Sequence, residues 1–202
     1  MRLGLFGGTF DPPHIGHLIL TAEAQKHLAL DKVMWILTPD PPHKDRPDML
    51  PAQTRLRLVK AAIGEDHNFE LSTLEMERQG PHYAVETVKQ VSMRYKGASI
   101  YYLIGGDSLR DLPTWRDPKE LLDLCAGLGV MRRPNIYFDM DILESHLPGL
   151  VQKTHFMDVP LIDISSSDIR KRIREGRPYR YFLPYDTFQL ITSEKLYLQT
   201  VQ

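Results

Sequence analysis

Gly4-Leu5-Phe6-Gly7-Gly8-Thr9-Phe10-Asp11-Pro12-Pro13-His14-Ile15-Gly16-His17 is the stretch whose reading decides the fold. The short apolar run of Leu3, Leu5 and Phe6 reads as a buried strand. It meets two glycines, Thr9, an Asp-Pro-Pro turn and then His14 and His17, where a helical pattern begins. Positions i and i+3 share a helix face, so both imidazoles can point at one object. A helix N-terminus offers unpaired N–H groups and the positive end of the dipole, which suit a phosphate. Glycines let the backbone approach that phosphate closely. Three readings compete. One is a Gly/Pro turn with incidental surface histidines. The second is a metal pair, although helical histidine pairs that bind zinc are spaced i, i+4 and need further ligands. The third is a nucleotide-phosphate site in which the histidines stabilise transition-state charge.

Working outward, apolar runs of strand length alternate with segments of helical period. Strands are expected at 33–37, 69–71, 100–104, 128–131 and 155–159. Helices are expected from His17 to Leu30 and over 52–63, 83–95 and 118–126, with another opening at 164–170 and stopping at Gly176. In the second of these, Leu56, Val59 and Ile63 fall at i, i+3 and i+7, and Gly64 supplies the stop. Asp117 is the expected N-cap ahead of Pro118, and Asp186 with Gln189 resembles a capping box for a terminal helix. Residues 135–153 read as irregular, with a short helix near 142–145. Strand–helix alternation gives an α/β, Rossmann-like, doubly wound, mainly parallel sheet with helices on both faces. In such sheets ligands bind beyond the carboxyl ends of the strands. The polar clusters at 8–17, 41–44, 105–107, 132–133 and 165–170 each follow an expected strand, so they should share one edge.

The chain has 202 residues, enough for one domain spanning 1–202 with a sizeable core. Its 25 Lys and Arg nearly balance its 26 Asp and Glu, which argues against a nucleic-acid polymer or a membrane surface as partner. The single cysteine, Cys125, excludes an internal disulfide framework and reads as a small core residue in a reducing cytoplasm. No signal peptide or transmembrane-length apolar run is present in the sequence, so a soluble cytoplasmic protein is expected. A homo-oligomer is left open.

Gly-x-Phe-x-Pro-x-His-x-Gly-His, present at residues 8–17, resembles the signature of the nucleotidyltransferase superfamily, related in fold to class I aminoacyl-tRNA synthetases. Ile164-Ser165-Ser166-Ser167-Asp168-Ile169-Arg170 is similar to its C-terminal motif. The lead-in Leu161-Ile162-Asp163 does not match the Arg-Thr-x-Gly form of the choline-phosphate and glycerol-phosphate cytidylyltransferases. Pro41-Pro42-His43-Lys44, Gly105-Gly106-Asp107-Ser108, Leu112-Pro113-Thr114-Trp115 and Arg132-Arg133-Pro134 resemble segments of the bacterial nicotinate mononucleotide adenylyltransferases. The resemblance covers nearly the whole chain.

It implies adenylyl transfer from ATP to nicotinate mononucleotide, giving nicotinate adenine dinucleotide and pyrophosphate, a step of NAD biosynthesis. By resemblance, His14, His17, Lys44 and Arg170 carry the catalysis. Gly8, Thr9, Phe10, Ile164, Ser166 and Ser167 join His14, His17 and Arg170 in holding ATP, and the helical part at about 164–202 completes that site. Lys44, Tyr83, Thr87, Gly106, Asp107, Trp115 and Arg132 take the mononucleotide, with Trp115 stacking on the pyridine ring. Magnesium comes with ATP and bridges phosphate oxygens, since it favours few protein ligands and many phosphate ones; no protein metal ligand is expected. Two departures touch the second substrate. Ala84 stands where the family often has the first threonine of Ser-Tyr-Thr-x-x-Thr, and Arg116 where some members have tyrosine. The alternatives are transfer to nicotinamide mononucleotide or phosphopantetheine, and a catalytically silent nucleotide-binding regulator.

Overall fold

The computed structural model describes residues 1–40, 48–132, 136–160 and 162–198. The chain runs β1 (Arg2–Gly8), α1 (Ile15–His27), β2 (Lys32–Leu37), α2 (Ala52–Ile63), β3 (Phe69–Ser72), α3 (Ala84–Arg94), β4 (Ser99–Gly105) and α4 (Gly106–Asp111). A 3-10 turn at Leu112–Thr114 leads to α5 (Pro118–Leu124), β5 (Gly127–Met131), α6 (Met140–His146), α7 (Leu150–Lys153) and β6 (Thr154–Met157). Then come α8 (Ser166–Arg174), a 3-10 turn at Arg180–Phe182 and α9 (Tyr185–Ser193).

The strands form one sheet in the order β3-β2-β1-β4-β5-β6, and every neighbouring pair is parallel. Alternation of side chains along each strand builds two cores. Leu3, Leu5, Met34, Ile36, Ile100, Tyr102, Ile104, Leu128 and Val130 face α3, α4 and α5. Phe6, Val33, Trp35, Leu37, Tyr101 and Leu103 face α1 and α2. A fully buried leucine or isoleucine contributes roughly 1.5–3 kcal/mol, so a one-residue register slip would forfeit many such gains. A third cluster joins Leu58 of α2 to Ile169, Ile173, Leu183, Ile191 and Tyr197, which ties the C-terminal helices to the main body.

Several local expectations need correction. Residues 140–146 and 150–153 are helical, so the 135–153 region is less irregular than its sequence suggests; Asp139 caps α6 by accepting from the Asp141 and Ile142 amides. Asp117 precedes α5 in a left-handed conformation and makes no side-chain cap; its carboxylate pairs with Arg116 instead. The Asp186–Gln189 capping box does not form, because Gln189 donates to the Tyr185 hydroxyl. The buried face of α2 is Arg55, Leu58, Val59 and Ala62, rotated from the expected stripe because the helix is covered on two sides. Cys125 is buried, and burial pushes its thiol up to about 12, which fits a core residue and not a nucleophile. No helix among the described residues is long and apolar enough to cross a membrane.

Candidate active site

Strand order reverses between β1 and β4: the chain after β1 moves toward β2, and the chain after β4 moves toward β5. At such a switch point the two loops diverge and leave a crevice beyond the strand ends. A crevice of about 500 Å³ lies there. Its wall includes Gly8, Thr9, Phe10, His14 and His17 after β1, Asp107 and Trp115 after β4, and Ile164, Ser166 and Ser167 at the start of α8. Three of the polar clusters therefore do meet at one edge. The Pro41–Lys44 cluster, with Lys44, lies outside the described residues, as do Arg133 and Pro134.

The histidines are closer than helical spacing alone requires. His14 is the N-cap of α1, with extended backbone, and its ring stacks on that of His17 at 3.6 Å between centroids. Gly16 makes room for this: a Cβ there would sit 3.1 Å from His14 Nδ1. The His14 backbone N–H donates to His17 Nδ1 at 3.2 Å. That bond gives Nδ1 the lone pair and leaves the neutral ring's proton on Nε2, as a donor. His17 is also held in an aromatic nest, edge-on to Phe10 at 5.3 Å and tilted against Phe6 at 5.7 Å. Phe10 adopts φ 48, the left-handed region that a bulky residue rarely enters. Its ring occupies the space above Gly8, where a Cβ would meet ring carbons at 2.9 Å. Gly8 is thus required by Phe10 as much as by any phosphate.

At the start of α8 the Ser165 hydroxyl caps the helix by accepting from the Asp168 amide at 3.1 Å. The Ser166 hydroxyl donates to the Pro12 carbonyl at 2.8 Å. Arg170 is buried, donates to the Asp11 carbonyl at 2.7 Å, and lies 3.8 Å from the Asp11 carboxylate and 3.9 Å from that of Asp48. The expectation for Ser166 and Arg170 was direct phosphate contact. Both grip the histidine loop through its backbone; Ser166 also lines the crevice, while Arg170 stands behind its wall, where two carboxylates and a carbonyl draw the guanidinium inward.

The mononucleotide candidates divide. Asp107 lies in the first turn of α4, and Trp115 follows the 3-10 turn with its ring edge-on to Tyr102 at 6.2 Å; all three line the crevice. Gly106 packs beneath, where a Cβ would meet Phe138 at 3.3 Å. Thr87 is buried on α3, not on the crevice wall: its hydroxyl bonds the Glu75 carboxylate and accepts from Arg78 Nη2 at 2.7 Å. Tyr83 is the N-cap of α3 and packs on the core. Arg132 lays its guanidinium 4.4 Å over the Phe156 ring. Thr87, Tyr83, Gly106 and Arg132 are not on the wall as the crevice stands. The acids flanking Trp115 each pair with an arginine, Asp111 with Arg110 and Asp117 with Arg116. The Trp115 backbone N–H donates to the Leu112 carbonyl at 3.0 Å.

Sequence reasoning missed Arg55, which is 1% exposed on α2. It donates to the carbonyls of Leu50, Thr9 and Thr38 at 2.8, 2.8 and 2.9 Å, and also to Pro39. One guanidinium thus joins the loop after β1 to the loop after β2. Its signal was present: Arg55, Leu58, Val59 and Ala62 fall at i, i+3, i+4 and i+7, an arginine on an apolar stripe.

The family model of the cytidylyltransferase-like proteins matches residues 5–172, the stretch that holds this frame, and the chain belongs to that class. Curated relatives narrow it. The chain is 38% identical over 196 residues to a probable nicotinate-nucleotide adenylyltransferase of Thermomicrobium roseum, covering 97% of this chain and 91% of the relative. It is 37% identical over 197 residues to one from Exiguobacterium sibiricum, covering 98% and 99%. The chain belongs to the nicotinate-nucleotide adenylyltransferase family. Among solved structures, a Plasmodium falciparum nicotinic acid mononucleotide adenylyltransferase complexed with NaAD superimposes with a TM-score of 0.80 at 16% identity, covering 100% and 99% of the two chains, which speaks to the fold.

Proposed function

We propose that the protein transfers the adenylyl group of ATP to nicotinate mononucleotide, yielding nicotinate adenine dinucleotide and pyrophosphate. A 5′-phosphate oxygen of the mononucleotide attacks the α-phosphorus. The bond from that phosphorus to the bridging oxygen breaks, and pyrophosphate leaves with the electron pair. A phosphate monoester is largely dianionic near neutral pH, so the step needs no general base. What the chain must supply is alignment and charge stabilisation. The observation that carries this reading is the stacked His14–His17 pair on the crevice wall, with the His17 tautomer fixed so that Nε2–H can donate to a phosphate oxygen. The N-terminus of α8, where Ser165 takes up the Asp168 amide, would turn the positive end of its dipole toward the same anion.

Trp115 offers a flat apolar face for the pyridine ring, and Asp107 an acceptor for sugar hydroxyls. The names of the relatives support the acid as the preferred mononucleotide. Arg116, the nearest cation in sequence, is held by Asp117, so its contact to the carboxylate would require that pair to open. Among the described residues no three of His, Cys, Asp and Glu are gathered as a metal cage. Magnesium brought with ATP would be held mainly by phosphate oxygens and water, its usual ligands, with the chain's donors acting on the remaining charge. The single buried thiol accords with a place in the reducing cytoplasm.

Incubation with ATP and magnesium plus nicotinate mononucleotide, nicotinamide mononucleotide or phosphopantetheine tests this. Dinucleotide and pyrophosphate should appear, fastest with the acid. Absence of product from all three acceptors would overturn the assignment, and faster turnover of another acceptor would replace the substrate.

A further inference from the structure

We propose that Tyr197 and Asp11 form a positioning device for the reaction just assigned: the turn after α9 holds the histidine loop in register through the Asp11 side chain. The inference rests on that assignment for its kinetic arm only. The Tyr197 hydroxyl donates to Asp11 Oδ1 at 2.8 Å, across a sequence separation of 186 residues. Asp11 is 1% exposed and Tyr197 9%, so water does not compete for the bond. Asp11 Oδ2 lies 3.8 Å from Arg170 Nη1, which also donates to the Asp11 carbonyl. The aspartate is therefore held at its carboxylate by the last turn and by α8, and at its backbone by α8.

Asp11 is followed within one helical turn by His14 and preceded by Phe10, whose ring stands edge-on to His17. A shift of Asp11 is transmitted to both imidazoles. Tyr197 itself does not reach the crevice wall. It adopts φ 63, a conformation that bulky residues rarely take and that persists only where the surroundings enforce it. Its ring fills the third core, while its hydroxyl reaches out of that core to the carboxylate of Asp11. The hydroxyl makes this turn part of the active-site frame, and Tyr197 a positioning residue.

Tyr197→Phe removes only the hydroxyl. Two readouts decide. Hydrogen exchange on the protein without substrate should quicken for amides at 9–17. In the adenylyl-transfer assay kcat should fall by about tenfold, the scale of a small misalignment of reacting groups, while the mononucleotide KM stays within about twofold. Tyr179→Phe removes a hydroxyl of the same C-terminal unit, 3.3 Å from Thr192 Oγ1, and should change neither readout. Asp11→Asn should quicken the same amides, and it decides the matter if Tyr197→Phe does not fold. Exchange that quickens only at 185–198, or is unchanged at 9–17 with wild-type kcat, would overturn the proposal. An inactive wild type would defeat the assigned reaction while the exchange readout still tested the clamp.

Discussion

On the β1 side of the crevice, Arg170 and Ser166 of α8, Arg55 of α2 and Tyr197 of the turn after α9 all reach residues 9–12. On the β4 side, Trp115 and Asp107 stand on a short helix and a 3-10 turn whose charged neighbours pair with one another at the surface. The first side is fixed by bonds of long sequence separation, the second by local packing on the core. Preorganised donors matter most where charge develops, since donors already in place need no reorganisation during reaction. A ring that stacks tolerates more play. The two sides should therefore respond differently to the loss of one side chain.

The largest effect is expected at Arg55. Arg55→Ala removes a buried cation and leaves four carbonyls, those of Leu50, Thr9, Thr38 and Pro39, without that donor. Unmade bonds to buried groups cost about 1–3 kcal/mol each, not additively, so a loss of about 3 kcal/mol or more in denaturant unfolding is expected. Arg55→Lys keeps the charge but not the fork and should recover only part of it. A loss below about 1 kcal/mol for the alanine variant would break the comparison, because the β1 side would not depend on its clamp.

His17→Ala comes next. Turnover should fall on the order of a hundredfold or more with a smaller change in ATP affinity, since the contact strengthens as charge develops. Near-normal kcat would remove His17 from the chemistry. On the other side, Trp115→Ala should raise the mononucleotide KM by roughly 1–3 kcal/mol if ring stacking resembles base–aromatic stacking, with ATP parameters little changed. A Trp115 variant that weakened ATP instead would mean that the two sides are one.

The same contrast explains what the sequence made legible. Residues 8–17 and 164–170 were recognisable because several polar and glycine positions at fixed spacing serve one local geometry. The mainly parallel, doubly wound sheet was legible from strand–helix alternation, whereas the order β3-β2-β1-β4-β5-β6 came from the structure. Residues acting at long range left little trace: Tyr197 sits in an ordinary Lys-Leu-Tyr-Leu run, and its partner lies at the other end of the chain. For Thr87 and Arg170 motif matching identifies the residues but not the direction they face. The structure turns both inward, toward Glu75 and Asp11 respectively. Trp115 and Asp107 lie on the crevice wall because the chain turns there immediately after β4.

The smallest effect concerns Glu75, the buried acid behind α3. Thr87 donates to its Oε1, and Arg78 Nη2 lies 3.7 Å from that atom. The Thr38 and Thr87 hydroxyls and the charges of Arg78 and His82 all favour the carboxylate, but burial outweighs them and raises the carboxyl above the 4.5 of an exposed glutamate. The sign follows from proton counting. Between the unfolded value and the raised folded value, the native state binds more protons than the unfolded state, so this group's contribution weakens as pH rises. It is fully present below the unfolded value and lost through the folded one. Glu75→Gln keeps a neutral side chain of the same size in the protonated form's place. Denaturant unfolding of both proteins from about pH 4 to about pH 8 should therefore show the glutamine variant gaining on wild type as pH rises. The opposite trend, with wild type gaining, would mean that Arg78 and the hydroxyls win over desolvation and hold Glu75 ionised. A buried arginine–carboxylate pair would then stand on the β3–α3 connection as well as on the β1 side, and such a pair would no longer set the β1 side apart.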